Sequence, residues 1–318
     1  MNILLVGDWT DVERDAWASA LASSLAQSLP GQHRLLLQRG VVDDASITSA
    51  IVANPPSGSL AGLTHLQLIQ SLWAGVDRLL TDVSLPAHVT IARMVDPVMT
   101  AAMAETALWA VLSLHRGFFD CAQQQRSGQW LQAAQARADE MALLVLGQGE
   151  MGRAVAQALA RQGYPVSTWS RQSSQKTLPG VRHRYGDATL LAAAAQACIV
   201  VNLLPLTAAT RGVLNAALFD ALPQGASIVN LARGAHLVEA DLLAALHSGH
   251  VHRAVLDVFA VEPLPTEHPF WRHPNVTVLP HIAAQTDLRS AADVAVANLH
   301  ALAHGQAISH VVDRVRGY

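Results

Sequence analysis

Gly147-Gln148-Gly149-Glu150-Met151-Gly152 constrains this chain more than any other stretch. It follows the apolar run Met141 to Leu146 and precedes Arg153 to Arg161, an Ala-rich segment with helical spacing, so it lies where a buried strand turns into a helix. There the three glycines have separate uses. The first permits a tight turn, the second lets backbone approach a pyrophosphate, and the third allows close helix-strand packing. Phosphates then sit on the helix N-terminus, which Glu150 and Met151 open. A glycine-rich structural turn is the alternative; the strand-turn-helix setting favours a dinucleotide site.

The chain has 318 residues, more than one core usually serves, so two domains are expected. Hydrophobic residues make up 51% and charged residues 14%, a composition suited to parallel sheets buried on both faces. Net charge is -3, and Lys and Arg form neither a run nor a stripe interleaved with aromatics, so neither nucleic acid nor a membrane surface is an expected partner. Cys121 and Cys198 lie far apart, without a CxxC or His at ligand spacing, which argues against a disulfide framework and a structural metal. Met1-Asn2 leads straight into Ile3 to Val6 without a basic leader, and no apolar run is read as long enough to span a membrane, so a cytoplasmic protein is expected.

The first third reads as an α/β unit of its own. Short strands are expected at Ile3 to Val6, Leu35 to Leu37, Ile47 to Ala53, Leu66 to Leu72 and Val89 to Ala92, with a helix over Trp9 to Leu29. Trp73-Ala74-Gly75-Val76-Asp77 follows one of these strands; it is either a close backbone approach to a ligand or an ordinary turn. Met99 to Gln125 is the longest helical pattern and suits a helix joining two domains. From Met141 onward six strands alternate with helices, at Ala142 to Leu146, Val166 to Trp169, Ile199 to Leu203, Ser227 to Asn230, Ala254 to Asp257 and Val276 to Leu279. Leu288 to Leu302 reads as a closing helix.

A site selecting NAD usually carries an acid about 20 residues past the glycines, to bind the ribose hydroxyls. Here the place reads Trp169-Ser170-Arg171-Gln172-Ser173-Ser174-Gln175-Lys176, with no carboxylate. Arg171 has a fork suited to a phosphate, Ser170 and Ser173 offer hydroxyls, and Lys176 adds charge. NADPH is therefore expected to be preferred over NADH. A solvated loop cation is the plainer reading of Arg171.

Three further segments follow predicted strands, where such sheets bind ligands. They are Asn230-Leu231-Ala232-Arg233-Gly234, Asp257-Val258-Phe259 with Glu262-Pro263-Leu264, and Pro280-His281-Ile282-Ala283-Ala284. Together with Val201 to Thr207 and Val312 to Tyr318, these motifs resemble the D-isomer-specific 2-hydroxyacid dehydrogenase family, in its glyoxylate/hydroxypyruvate reductase A type, from about Leu66 to the end. The residue chemistry agrees. Reduction of a 2-oxo acid needs a cation for the carboxylate, a proton donor for the carbonyl oxygen and a hydride donor. Arg233 suits the first; His281 suits the second, since imidazole cycles its proton near neutral pH. Glu262, hydrogen-bonded to the imidazole, would orient the ring and stabilise its charge.

The resemblance implies a Rossmann cofactor domain, residues 99–288, inserted into a flavodoxin-like substrate domain, residues 1–98 and 289–318; both are α/β with doubly wound parallel sheets. It implies that Ala74, Gly75 and Val76 hold the substrate carboxylate through backbone amides. Leu204, Pro205 and Thr210 would lie along the cofactor and Asp257 near the nicotinamide amide, with Leu231, Ala232, His281, Ala283 and Ala284 lining the same site. It also implies a homodimer acting on glyoxylate, hydroxypyruvate or a somewhat larger 2-oxo acid. Two departures bear on substrate size. Arg93-Met94-Val95-Asp96 stands where the wider family tends to have Asn, and Ala53 and Asn54 are smaller than the aromatic-bearing version, which suggests a wider pocket. An NAD-linked dehydrogenase of other specificity and a non-catalytic dinucleotide-sensing protein are the alternatives; the Arg233, Glu262 and His281 set argues against the second.

Overall fold

The computed structural model describes residues 1–318 except Gln32, Ser174 and Gln175. It divides into two compact units, Met1–Met99 with Thr286–Tyr318, and Thr100–Gln285. In chain order the first unit contributes β1 (Asn2–Gly7), α1 (Asp11–Ser28), β2 (Arg34–Leu36), β3 (Ile47–Ala53), β4 (Leu68–Ser71), α2 (Asp77–Leu80) and β5 (Thr90–Ala92). Helix α3 (Pro97–His115) begins in it and continues into the second unit, where α4 (Phe118–Arg126), β6 (Leu143–Leu146), α5 (Glu150–Arg161), β7 (Val166–Ser170) and β8 (Val181–Tyr185) follow. Then come α6 (Leu190–Ala194), β9 (Ile199–Asn202), α7 (Ala216–Ala221), β10 (Ala226–Asn230), α8 (Glu239–His247), β11 (Val251–Leu256) and β12 (Val276–Val278); α9 (Leu288–Ala303) returns to the first unit.

Both sheets are parallel. The first has the order β2-β1-β3-β4-β5, the flavodoxin-like arrangement, and the second β12-β11-β10-β9-β6-β7-β8, a Rossmann order extended by one edge strand. Their inner strands are mostly apolar because helices cover both faces, and β4, β6, β9 and β10 are buried at every position, the polar Gln70 and Ser71 of β4 included. In the second unit, Leu146, Val200, Ile228 and Leu256 face one layer of core with Phe219 and Phe270, and Val145, Val201, Val229 and Val255 face the other with Val155 and Leu159.

Three sequence expectations change. The second sheet has seven strands, not six; the added β8 reads Val-Arg-His-Arg-Tyr and sits at the edge, where charged residues discourage pairing with another chain. The long helix is two helices, because Gly117 takes a left-handed conformation (φ +69°) and starts α4 in a new direction. Finally, α3 is long and apolar enough to cross a membrane by length and composition, although no such run is read from the sequence. Its Ala-rich composition explains the apolarity, and Met103, Ala107, Ala110 and Val111 pack against the β6 and β9 core.

Candidate active site

The glycine loop fits a dinucleotide. Strand β6 delivers Gly147 with φ +109°, and a Cβ there would meet the Leu203 carbonyl oxygen at 2.7 Å, so both conformation and space demand glycine. Gly152 is pressed against the Gly147 backbone, fixing α5 beside the turn. Gly149 differs: a Cβ would meet nothing within 4 Å, leaving open space at the N-terminus of a twelve-residue helix. Gln148 donates from Nε2 to the Lys176 carbonyl (3.4 Å), and its buried Oε1 has no hydrogen-bond partner among the described residues, an acceptor suited to a ligand hydroxyl. Met151 packs into the core. Glu150, first in α5, pairs with Arg153 and with Lys176 (3.6 Å); burial works to raise its pKa, but these two charges outweigh it and lower the pKa.

At the end of β7, Ser170 donates from Oγ to the Gln172 carbonyl (2.7 Å) and lies 3.3 Å from His183 Nε2. Burial pushes the His183 pKa down, against hydrogen bonding to Thr168 and Gln172. Ser173 and Lys176 are exposed; Ser174 and Gln175 of this segment lie outside the described residues. The local sequence lacks an acid, yet the fold brings one in. Asp187, in the turn after β8, pairs with Arg171 (Nε to Oδ1, 3.2 Å), and Glu150 pairs with Lys176, so two of the cations expected at this end of the site have a carboxylate neighbour.

The loops after β10, β11 and β12 carry the three residues expected to react, Arg233, Glu262 and His281. Arg233 directly precedes the turn Gly234–His236 and donates from Nη1 to the Ala232 carbonyl (2.7 Å). Gly234 packs so closely on the Phe259 backbone that any side chain there would overlap it, which joins the first two loops. Glu262, followed by a cis Glu262–Pro263 peptide, accepts the Phe259 N–H on Oε1 (2.8 Å), and its Oε2 lies 2.7 Å from His281 Nδ1. That bond orients the imidazole and leaves Nε2 to face outward from the pair. His281 adopts φ +55° and donates its N–H to the Asp257 carbonyl (2.9 Å).

Asp257 is buried, with Oδ1 accepting from Ile282 N (2.7 Å) and Oδ2 from Ala283 N (3.0 Å). Burial pushes its carboxyl pKa up, opposed by those amides and by His281. Its oxygens hold the loop after β12 in shape, beyond the nicotinamide contact that the sequence resemblance implies. Thr210 likewise turns inward: its buried hydroxyl donates to the Pro205 carbonyl (2.7 Å) and accepts from Thr207 N (2.9 Å). Leu204, Leu231, Ala232 and Ala283 are buried, while Pro205 and Ala284 are partly exposed.

In the first unit, Ser71 closes the turn after β4 by bonding both N–H and C=O of Trp73 (3.0 and 3.1 Å). Ala74 and Gly75 are half-buried, whereas the Val76 side chain is in the core, so Val76 can offer a ligand only its backbone. Sequence reasoning missed Asp187 and the buried trio Asn202, Asn230 and His236. Their partners lie 16 to 34 residues away, and only sheet register reveals them.

A Rossmann sheet with a glycine-rich first turn, and a carboxylate-oriented histidine beside an arginine loop at its carboxyl edge, defines a dinucleotide-dependent oxidoreductase. The chain belongs to the D-isomer-specific 2-hydroxyacid dehydrogenase family, whose NAD-binding domain model matches residues 108–283. It is 39% identical to the glyoxylate/hydroxypyruvate reductase A of Yersinia enterocolitica, over 100% of both chains. Among solved structures it resembles a D-isomer-specific 2-hydroxyacid dehydrogenase from Xanthobacter autotrophicus Py2 in complex with NADPH and MES (TM-score 0.91, 38% identity, 100% and 99% of the two chains). It also resembles an NADPH-dependent glyoxylate/hydroxypyruvate reductase from Sinorhizobium meliloti in complex with NADP and sulfate (TM-score 0.87, 32% identity, 100% and 99%).

Proposed function

We propose that this protein is an NADPH-preferring 2-oxo acid reductase, converting glyoxylate, hydroxypyruvate or a similar small 2-oxo acid to the (R)-2-hydroxy acid. The 2.7 Å contact between Glu262 and His281 Nδ1, at the carboxyl edge of a Rossmann sheet, is the observation that carries the reading. A bound NADPH would supply the hydride to the substrate carbonyl carbon. Arg233 would pair with the substrate carboxylate and polarise the carbonyl, a charge-assisted contact that strengthens as negative charge grows on oxygen. His281 would deliver the proton to that oxygen from Nε2, with Glu262 holding the ring in place through Nδ1. Residues 1–98 and 289–318 would be the substrate domain, with Ala74, Gly75 and Val76 offering backbone amides suited to an anion, and residues 99–288 the cofactor domain.

Arg171, Ser170, Ser173 and Lys176 support NADPH over NADH, as do the relatives described with NADPH and NADP. With Asp187 and Glu150 beside its cations, the site would gain from a 2′-phosphate only the difference between two partners. A cytoplasmic homodimer fits the reading, with the exposed Trp109 and Phe118 of α3 and α4 available to a second subunit. The test is the loss of nicotinamide absorbance with a panel of 2-oxo acids, run separately with NADPH and NADH. Turnover of short 2-oxo acids with NADPH is expected; no turnover of any of them sinks the proposal, and equal turnover with NADH sinks its cofactor half.

A further inference from the structure

We propose that His236 is a positioning residue, which ties the loop carrying Arg233 to the loop Leu204–Thr210 through one buried hydrogen-bond network. This rests on the reading that Arg233 meets the substrate and that the second loop lies along the dinucleotide.

Asn202 and Asn230 are register partners at the carboxyl ends of β9 and β10, and they and His236 are completely buried. The Leu204 N–H donates to Asn202 Oδ1 (3.2 Å), which identifies that atom as the acceptor. Asn202 Nδ2 therefore donates, to Asn230 Oδ1 and to His236 Nδ1, both at 3.0 Å. Asn230 Oδ1 also accepts from Ala232 N (3.3 Å), and its Nδ2 donates to the carbonyl of Arg233 (3.1 Å). Since His236 Nδ1 must accept, its ring proton sits on Nε2, 3.3 Å from the Pro205 carbonyl oxygen. The His236 N–H completes the circuit by donating to the Arg233 carbonyl (3.2 Å).

The imidazole thus links Pro205, on the cofactor side, through Asn202 and Asn230 to the backbone of Arg233, on the substrate side. Apolar residues would fill the same space without needing matched partners, and a polar network in a dry interior is stable only when its geometry is held. What this network holds is the relative placement of two loops, and no reacting atom is among its members.

The test compares His236→Asn, His236→Gln and His236→Leu in the full-length protein, reading NADPH Kd by fluorescence titration, KM and kcat for the best 2-oxo acid, and Tm. Asn keeps an acceptor for Asn202 but is too short for Pro205, so NADPH Kd should rise about five-fold, as for one lost hydrogen bond, with KM within about two-fold. Gln can reach Pro205 and should bind NADPH nearly as wild type does. Leu should raise both Kd and KM by about ten-fold, with kcat changing less, because His281 and Glu262 are untouched. If Tm falls while Kd and KM stay constant in these variants, His236 is only structural and the proposal is overturned. Should the Leu variant fail to fold, the contrast between Asn and Gln decides. A wild-type protein that binds no NADPH refutes the functional reading itself, a result distinct from normal wild-type binding with unresponsive variants.

Discussion

Each unit buries polar side chains near the ends of its parallel strands, and the two sets serve different ends. In the first unit, Asn298 on α9 donates to Gln70 Oε1 on β4 (2.7 Å) and exchanges hydrogen bonds with the backbone of Ser309. Asp96 accepts from Ser290 Oγ (2.8 Å) and caps α3 through Val98 N and Met99 N. These bonds span 228 and 194 residues and fasten the returning C-terminal segment to the sheet. In the second unit, Asn202, Asn230, His236 and Asp257 bond to the backbones of loops at the carboxyl edge. The difference teaches that a buried polar residue is informative through what lies at its far end: a chain terminus in one case, a candidate site in the other.

The comparison can be broken at either side. His281→Ala should lower kcat by about a thousand-fold, the middle of the range for a lost general acid, while NADPH Kd stays within about two-fold. Near-normal turnover would remove the site from the second unit's edge. Asn298→Leu leaves Gln70 Oε1 and the Ser309 backbone without their buried partner and should cost about 3 kcal/mol in urea unfolding, with NADPH affinity unchanged. A parallel loss of affinity would show that the first network also serves the site.

Arg171→Asp should reduce the preference for NADPH over NADH by about ten-fold, a charge-assisted contact exchanged for repulsion. Unchanged kinetic ratios for the two cofactors would reduce Arg171 to a partner of Asp187. The smallest effect is expected at Asp82 in the first unit. Burial works to raise its pKa, but hydrogen bonds from Ser84 and from Gly58 N overcome this and lower it from 3.8 to about 2. A depressed carboxyl pKa stabilises the fold above the unfolded value and loses that contribution as pH falls through the folded one. Asp82→Asn should therefore cost about 1 kcal/mol at neutral pH, allowing for solvent screening, and the gap to wild type should close near pH 2.

What was legible in the sequence was what is local. Gly147 to Gly152 could be read because strand, turn and helix are contiguous, whereas the Leu203 carbonyl that also crowds Gly147 comes from the loop after β9 and was not legible there. The segments carrying Arg233, Glu262 and His281 could be placed because each follows an apolar strand directly. Strand β8 escaped because its Arg182, His183 and Arg184 lack the apolar signal of a central strand, and with it went Asp187, the partner of Arg171. Gly117 was visible, but the apolar pattern continues through it, so its break between α3 and α4 was read as continuous helix. The Asn202-Asn230-His236 network needed the register of β9 against β10, which no single segment encodes.

His281 sits at φ +55°, a left-handed backbone where an imidazole-bearing residue is strained and glycine is not. If His281 is the proton donor proposed above, thermal tolerance and turnover pull this position in opposite directions. A library screened only for survival on heating should enrich Gly or Asn at residue 281, yielding sturdier proteins that lack the proposed proton donor. Ancestral or consensus stabilisation of this chain should hold residue 281 fixed and look for its gains elsewhere.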